Sequence, residues 1–216
     1  MHNSKVFCSF ADGYNDIVYM ESRNNIKVFI SSTVYNFEDV LENVYALLDG
    51  YGYDVYLSKK GTIPLDSNLS NVHNCEIGVG DCDVFVGFIR PYYGSGILED
   101  GVSITEKEFN VAFERNLPRF ILSDQRVSFT RRLLEWLQME ASDIPNVRGE
   151  KQNKVIDGRC VALYNRAISN DEYPISSRVG NWVQDYYDWD DIRIHLEAQF
   201  KNVERVRKLI QANGKE

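Results

Sequence analysis

The sequence predicts a three-layer α/β fold on a central, mainly parallel sheet, and three observations carry that prediction. Short apolar runs rich in β-branched and aromatic residues recur at 26–30 (IKVFI), 53–57 (YDVYL), 84–89 (VFVGFI) and 119–122 (RFIL). Between them, apolar residues fall every three or four positions, the spacing of one helix face. The run at 84–89 lacks polar alternation, as a central strand covered on both faces requires.

Taken in order, Ser31, Ser32 and Thr33 follow the first run where a strand hands over to a loop. The first helix is signalled by residues 36–39 (NFED), then by Val40, Val44, Leu47 and Leu48, with Gly50 and Gly52 at its C-terminal end. Residues 53–57 then complete a strand–helix–strand unit long enough for a parallel crossover. A second helix is predicted within 66–80, with Leu69, Val72 and Cys75 on one face. Asp83 stands where it would fix the start of the 84–89 strand. Beyond that strand, residues 90–96 (RPYYGSG) form a loop at the carboxyl edge of the sheet, where open parallel sheets bind ligands. A third helix begins near Ser103 or Thr105 and turns Phe109, Ala112 and Phe113 inward.

Past residue 123 the alternation weakens. Residues 129–139 read as a helix, 161–164 as a strand and 146–154 as a polar connection. Ile192, Leu196, Phe200, Val203, Val206 and Ile210 form one apolar stripe and predict a single long terminal helix. The aromatic-rich start suggests an edge strand around 6–10. The organisation expected is an N-terminal extension (1–25), an α/β domain (26–125) and a C-terminal extension (126–216) whose terminal helix packs on the same core.

Composition narrows the class. With 216 residues, 44% hydrophobic and 26% charged, the chain matches ordinary globular proteins, not disordered, collagen-like or membrane ones. No run approaches the ~18 apolar residues of a membrane span, and residues 1–9 lack a basic segment followed by an apolar one. A net charge of −8 with dispersed Lys and Arg argues against nucleic acid as a partner. Cys8, Cys75, Cys82 and Cys160 show no CxxC pairing and His2, His73 and His195 are scattered, so neither a metal nor a disulfide framework is expected. A cytoplasmic protein with reduced thiols follows.

The segment 103–113 (SITEKEFNVAF) opens a helix at the ligand-binding edge. Capping boxes pairing Ser103 with Glu106, or Thr105 with Glu108, would explain its acids structurally. So would the helix dipole, which favours negative charge in a first turn. The alternative is a catalytic carboxylate. The ordered set 27–33 (KVFISST), 82–87 (CDVFVG), 92–94 (YYG) and 105–109 (TEKEF) with Ala112 resembles a widespread bacterial domain family of unassigned function. That family is often fused to signalling ATPases and is grouped with TIR domains and nucleoside deoxyribosyltransferases.

The resemblance implies a flavodoxin-like, TIR-like fold and cleavage of an N-glycosidic bond in NAD or a related nucleotide, serving bacterial signalling or antiviral defence. The nucleotide is then a substrate, with no cofactor or metal. It implies a first-turn glutamate that stabilises or attacks the anomeric carbon. Glu108, followed by Phe109 and Ala112, matches the TIR pattern, whereas Ser103 to Glu106 matches a run in deoxyribosyltransferase-like effectors. Two residues apart on a helix, these side chains diverge by about 200°, so only one can enter a shared site. Ser31, Ser32 and Thr33 are candidates for ribose and phosphate, Tyr92 and Tyr93 for stacking on a base, and Arg90 for a phosphate or a helix acid. Loop formation and packing are the structural alternatives for each. The Trp-Cys pair of active TIR enzymes is missing before the helix glutamate. A homo-oligomer or a partner effector protein is expected. The alternatives to an N-glycosidase or cyclase are a non-catalytic nucleotide-sensing or assembly module and a nucleoside deoxyribosyltransferase.

Overall fold

The computed structural model describes residues 24–94, 96–144, 155–168, 174–177 and 182–214. Strands β1 (Lys27–Ser31), β2 (Asp54–Tyr56), β3 (Val84–Ile89), β4 (Arg119–Asp124) and β5 (Val183–Tyr186) form one sheet in the order β2-β1-β3-β4-β5. Every adjacent pair is parallel. This is the strand order of flavodoxin-like folds. Among the described residues seven helices flank the sheet: α1 (Glu38–Gly50), α2 (Asn71–Asp81), α3 (Ile104–Glu114), α4 (Gln125–Leu137), α5 (Gly158–Ile168), α6 (Trp189–Phe200) and α7 (Val203–Ala212). None is long and apolar enough to cross a membrane.

The three layers follow from the pleat, which sends successive side chains to opposite faces. On one face Val28, Ile30, Val84, Val86, Phe88 and Leu122 meet Leu41, Val44 and Leu48 of α1, Leu196 and Phe200 of α6, and Val206 of α7. On the other, Phe29, Phe85 and Ile121 meet Val79 of α2, Phe109 and Ala112 of α3, Val127 of α4 and Val161 of α5. All six residues of β3 are buried because it is the middle strand. Asp83 accepts a 2.9 Å bond from the Lys27 amide and so sets the start of β3 against that of β1. Fully buried Tyr53 donates to the Phe200 carbonyl (2.7 Å), fastening α6 beside β2.

Gly87 sets how closely α3 approaches the sheet. A Cβ there would lie 2.5 Å from Phe109 and 2.7 Å from Phe85, whose rings pack edge to face with centroids 5.1 Å apart. In register, Gly87 pairs with Ser31.

Three expectations need correction. Residues 161–164 lie inside α5, where Cys160, Val161, Leu163 and Ala167 bury a helical face; the short run VALY is the apolar side of that helix, and the fifth strand is the half-polar VQDY. The terminal stripe is not one helix. Asn202 interrupts it and caps α7 by accepting from the Arg205 amide (3.0 Å), so α6 and α7 are separate. The second helix starts only at Asn71, because Ser70 caps it through the His73 amide and 66–70 stay outside. The edge strand proposed near residues 6–10 and the connection at 146–154 lie outside the described residues.

Replacing Gly87 by alanine forces Phe109 and Phe85 out of their present rotamers or lifts α3 from the sheet. Gly87→Ala is expected to lose about 1–3 kcal/mol, the range of core overpacking, measured by urea unfolding against the unchanged protein.

Candidate functional site

The residues singled out in the sequence lie along the carboxyl edge of the sheet, in three groups held by different elements. The first joins β1, α2 and α3. Glu108 is 5% exposed and accepts a 2.5 Å hydrogen bond from the hydroxyl of Ser31, the last residue of β1. The thiol of Cys75 on α2 lies beside this carboxyl and favours its charged form. Burial pushes the Glu108 carboxyl up to about 7, and the Ser31 hydrogen bond and the Cys75 thiol offset only part of that rise. Burial, with the nearby Glu108 charge second, raises the Cys75 thiol to about 12. Cys75 is therefore a neutral thiol and not a thiolate nucleophile.

The second group centres on Arg90, just past β3. Its buried guanidinium donates to the carbonyls of Thr33 (2.9 Å), Tyr35 (2.6 Å) and Asn36 (3.3 Å). Its flat face lies 4.3 Å from the Phe37 ring centroid. Arg90 thus holds the β1–α1 loop in place, and among the described residues it forms no ion pair with a helix acid. The Ser32 hydroxyl donates to the Thr33 carbonyl (2.9 Å), a local loop bond. Tyr92 packs edge-on to the exposed Tyr35, with Arg126 6.0 Å from its ring. Arg126 in turn is held in a fork by Asp124 at the end of β4, at 2.8 and 2.6 Å. Among the described residues, Thr33 Oγ1, Arg90 Nε and the Tyr186 hydroxyl are buried without a hydrogen-bond partner. All three belong to this region: Arg90 contacts the Thr33 carbonyl, and Tyr186 at the end of β5 feels the charges of Asp124 and Arg90.

The third group involves Glu106 and Tyr93. Ser103 caps α3 by accepting from the Glu106 amide (3.2 Å). The Glu106 side chain does not return to Ser103; it accepts from the Tyr93 hydroxyl and from Arg166 of α5 (3.2 Å). The Ser103 amide donates to Tyr93 instead (3.2 Å). Neither capping box forms, since Thr105 and Glu108 are both inside the helix. One face of Tyr93 is covered by Arg159, 3.8 Å from the ring centroid, so this ring is a packing element and Tyr92 is the more open of the two.

Glu106 and Glu108 therefore part company, as their angular separation on the helix requires. Glu106 belongs to an ion-paired network joining α3 to α5, whereas Glu108 is buried against Ser31. Tyr35, Asp124, Arg126 and Tyr186 escaped the sequence reading, and Cys75 was read only as part of a helix face. The positions of Asp124 and Arg126 just after a strand were a usable signal; Cys75 gave none. Among the described residues, no group of three or more His, Cys, Asp and Glu side chains is arranged to hold a metal ion.

Two measurements test this geometry. Because the folded protein holds the Glu108 proton up to about pH 7, whereas an ordinary carboxyl releases it near 4.5, the folded state binds more protons than the unfolded state between these values. Stability then falls as pH rises through that window, by on the order of 3 kcal/mol from this group. Glu108→Gln is expected to remove this slope and to raise the melting temperature at pH 8 while changing it little near pH 4.5. Arg90→Lys keeps the charge but loses the fork, and chemical denaturation is expected to register a loss of about 2 kcal/mol.

The sequence matches no curated protein. Residues 27–201 match a known family over most of the chain, from the start of β1 to just past α6. The family's description names neither TIR domains nor deoxyribosyltransferases. The chain belongs to the family described as Domain of unknown function (DUF4062).

Proposed function

We propose that this chain cleaves the N-glycosidic bond of NAD or a related nucleotide, with the Glu108 carboxylate stabilising the ribosyl cation. The observation that carries the reading is a buried carboxyl at the carboxyl edge of a parallel sheet, hydrogen-bonded to Ser31 and close to the Cys75 thiol. A purely structural role is poorly served by such a group, because burial penalises its charged form and an apolar side chain would pack there without that cost. In the reaction the C1′–N bond breaks and its electron pair leaves with the base. Water, or a nucleophile within the substrate, then captures the cation at C1′, giving hydrolysis or cyclisation. Ser31 is the positioning residue for the carboxylate. Tyr92, with Tyr35 and Arg126 beside it, offers a face for the base. Thr33, Arg90 and Tyr186, with their unpartnered polar atoms, suit ribose and phosphate oxygens. Glu106 positions α3 through Tyr93 and Arg166.

The near-complete enclosure of Glu108 favours a second reading, a module that binds a nucleotide without cleaving it. Substrates with a 2-deoxy sugar separate the third possibility, deoxyribosyl transfer. Incubation with NAD, nucleosides and deoxynucleosides, at protein concentrations that permit self-association, discriminates among the three by chromatography of the products. Glu108→Gln is expected to lower turnover at least ~100-fold, and Glu106→Gln far less. Since only the ionised carboxylate stabilises a cation, the rate should rise with pH through about 7. Binding with no product in any condition overturns the enzyme reading.

A further inference from the structure

Helix α4 is apolar on two sides. Val127 and Leu134 are buried against the rest of the chain. On the outward side stand Phe129 (63% exposed), Leu133, Trp136 (79% exposed) and Leu137, with Met139 just past the helix end. These are five of the thirteen large hydrophobic side chains exposed among the described residues, so the exposure is concentrated on one element. Phe129, Leu133 and Trp136 follow the spacing of a single helix face, and with Arg132 they surround a shallow depression. The outward side of an ordinary surface helix is polar, and contiguous exposed apolar patches mark interaction sites. Aromatic residues beside an arginine are the composition of an interface centre.

The charges on this helix have an order of their own. Between residues 125 and 140, the basic residues Arg126, Arg131 and Arg132 all precede the acidic Glu135 and Glu140. The helix has no acid in its first turn and no base in its last, the reverse of what its own dipole favours. Arg131 lies 5.9 Å from the Tyr164 ring and pairs with Glu135 at 2.6 Å, whereas Arg126 and Arg132 are exposed.

A second copy of the same helix, lying antiparallel, accounts for both features. A two-fold axis at Leu133 sets that residue against its own copy and Phe129 opposite Leu137, each four positions away. It also lays the basic half of each helix along the acidic half of the other, with Arg132 beside Glu135 and the Arg126 end next to Glu140. Such self-complementarity is what an isologous interface requires. An acidic partner of another kind would match Arg126 and Arg132 but would leave Glu135 and Glu140 facing like charge.

We propose that two copies of this chain associate through α4, packed antiparallel about a two-fold axis at Leu133. Phe129, Leu133 and Trp136 form the apolar centre of the interface, and the charged residues form its rim and fix its direction. The assignment uses neither Glu108 nor its chemistry, so it does not depend on the glycosidase reading.

Sedimentation velocity of the full chain over a range of concentrations tests it, with a monomer–dimer equilibrium expected. Trp136→Glu, at the most exposed of these positions, should weaken association at least ~10-fold, with its fold checked by circular dichroism. Arg132→Glu and Glu135→Arg each set like charges against one another on both sides of the axis. Either variant alone should therefore dimerise at least ~10-fold more weakly, whereas a mixture of the two restores the opposite charges and the dimer. A chain that stays monomeric at about 100 μM, well above the Kd of a specific micromolar complex, overturns the proposal. So does a dimer that survives Trp136→Glu unchanged, or a mixture of the charge variants that assembles no better than either one alone.

Discussion

The approach of α3 to β3 at Gly87 decides most of what happens at the carboxyl edge. The Phe109 ring occupies the volume that any larger residue at position 87 would need, so one rotation of α3 about its axis is selected. Glu108, one residue earlier and therefore turned by about 100°, faces β1, where Ser31 is the in-register neighbour of Gly87. Glu106 then faces the other way, towards Tyr93 and α5. A single absent methyl group thus positions a glycine, a serine and two glutamates, and the chemistry open to each acid follows from the side to which it is turned.

A second constraint supports the first. The loop leaving β1 carries Ser32, Thr33 and, at Asn36, a backbone of positive φ. Its carbonyls converge on the Arg90 guanidinium, which is buried against Phe37. A buried cation without such acceptors would be strongly destabilising. Here the carbonyl dipoles take the place of a counter-ion. The loop is held by a side chain from just past the neighbouring strand, so the edge near Tyr92 keeps a defined shape although little regular secondary structure forms it.

Four of the five strands, and which of them is central, were legible in the sequence. Four apolar runs separated by helical spacings mark β1 to β4, and the unbroken VFVGFI marks the centre. What stayed hidden has a common physical cause, a signal that local pattern does not encode. The strand β5 reads VQDY because it borders the sheet and is only half buried. The run VALY looked like a strand because four residues cannot separate a period of 2 from one of 3.6. The break at Asn202 rests on one side-chain cap within a continuous apolar stripe. At the site, spacing alone established that Glu106 and Glu108 diverge. Which of them is enclosed depends on β1 and α5, which are 77 and 60 residues away from them in the chain.

The company of each glutamate has a further consequence. The negative charge of Glu106 is answered by Arg166, so its field is largely cancelled at short range. The partner of Glu108 is the Ser31 hydroxyl and its neighbour the Cys75 thiol, both neutral dipoles. Once ionised, Glu108 has no counter-ion among these two groups, and a low-dielectric surrounding screens it weakly. An approaching positive charge would meet an almost undiminished potential at Glu108 and a neutralised one at Glu106, two helix positions away. The protein thereby distinguishes two chemically identical side chains through the charge of their immediate neighbours.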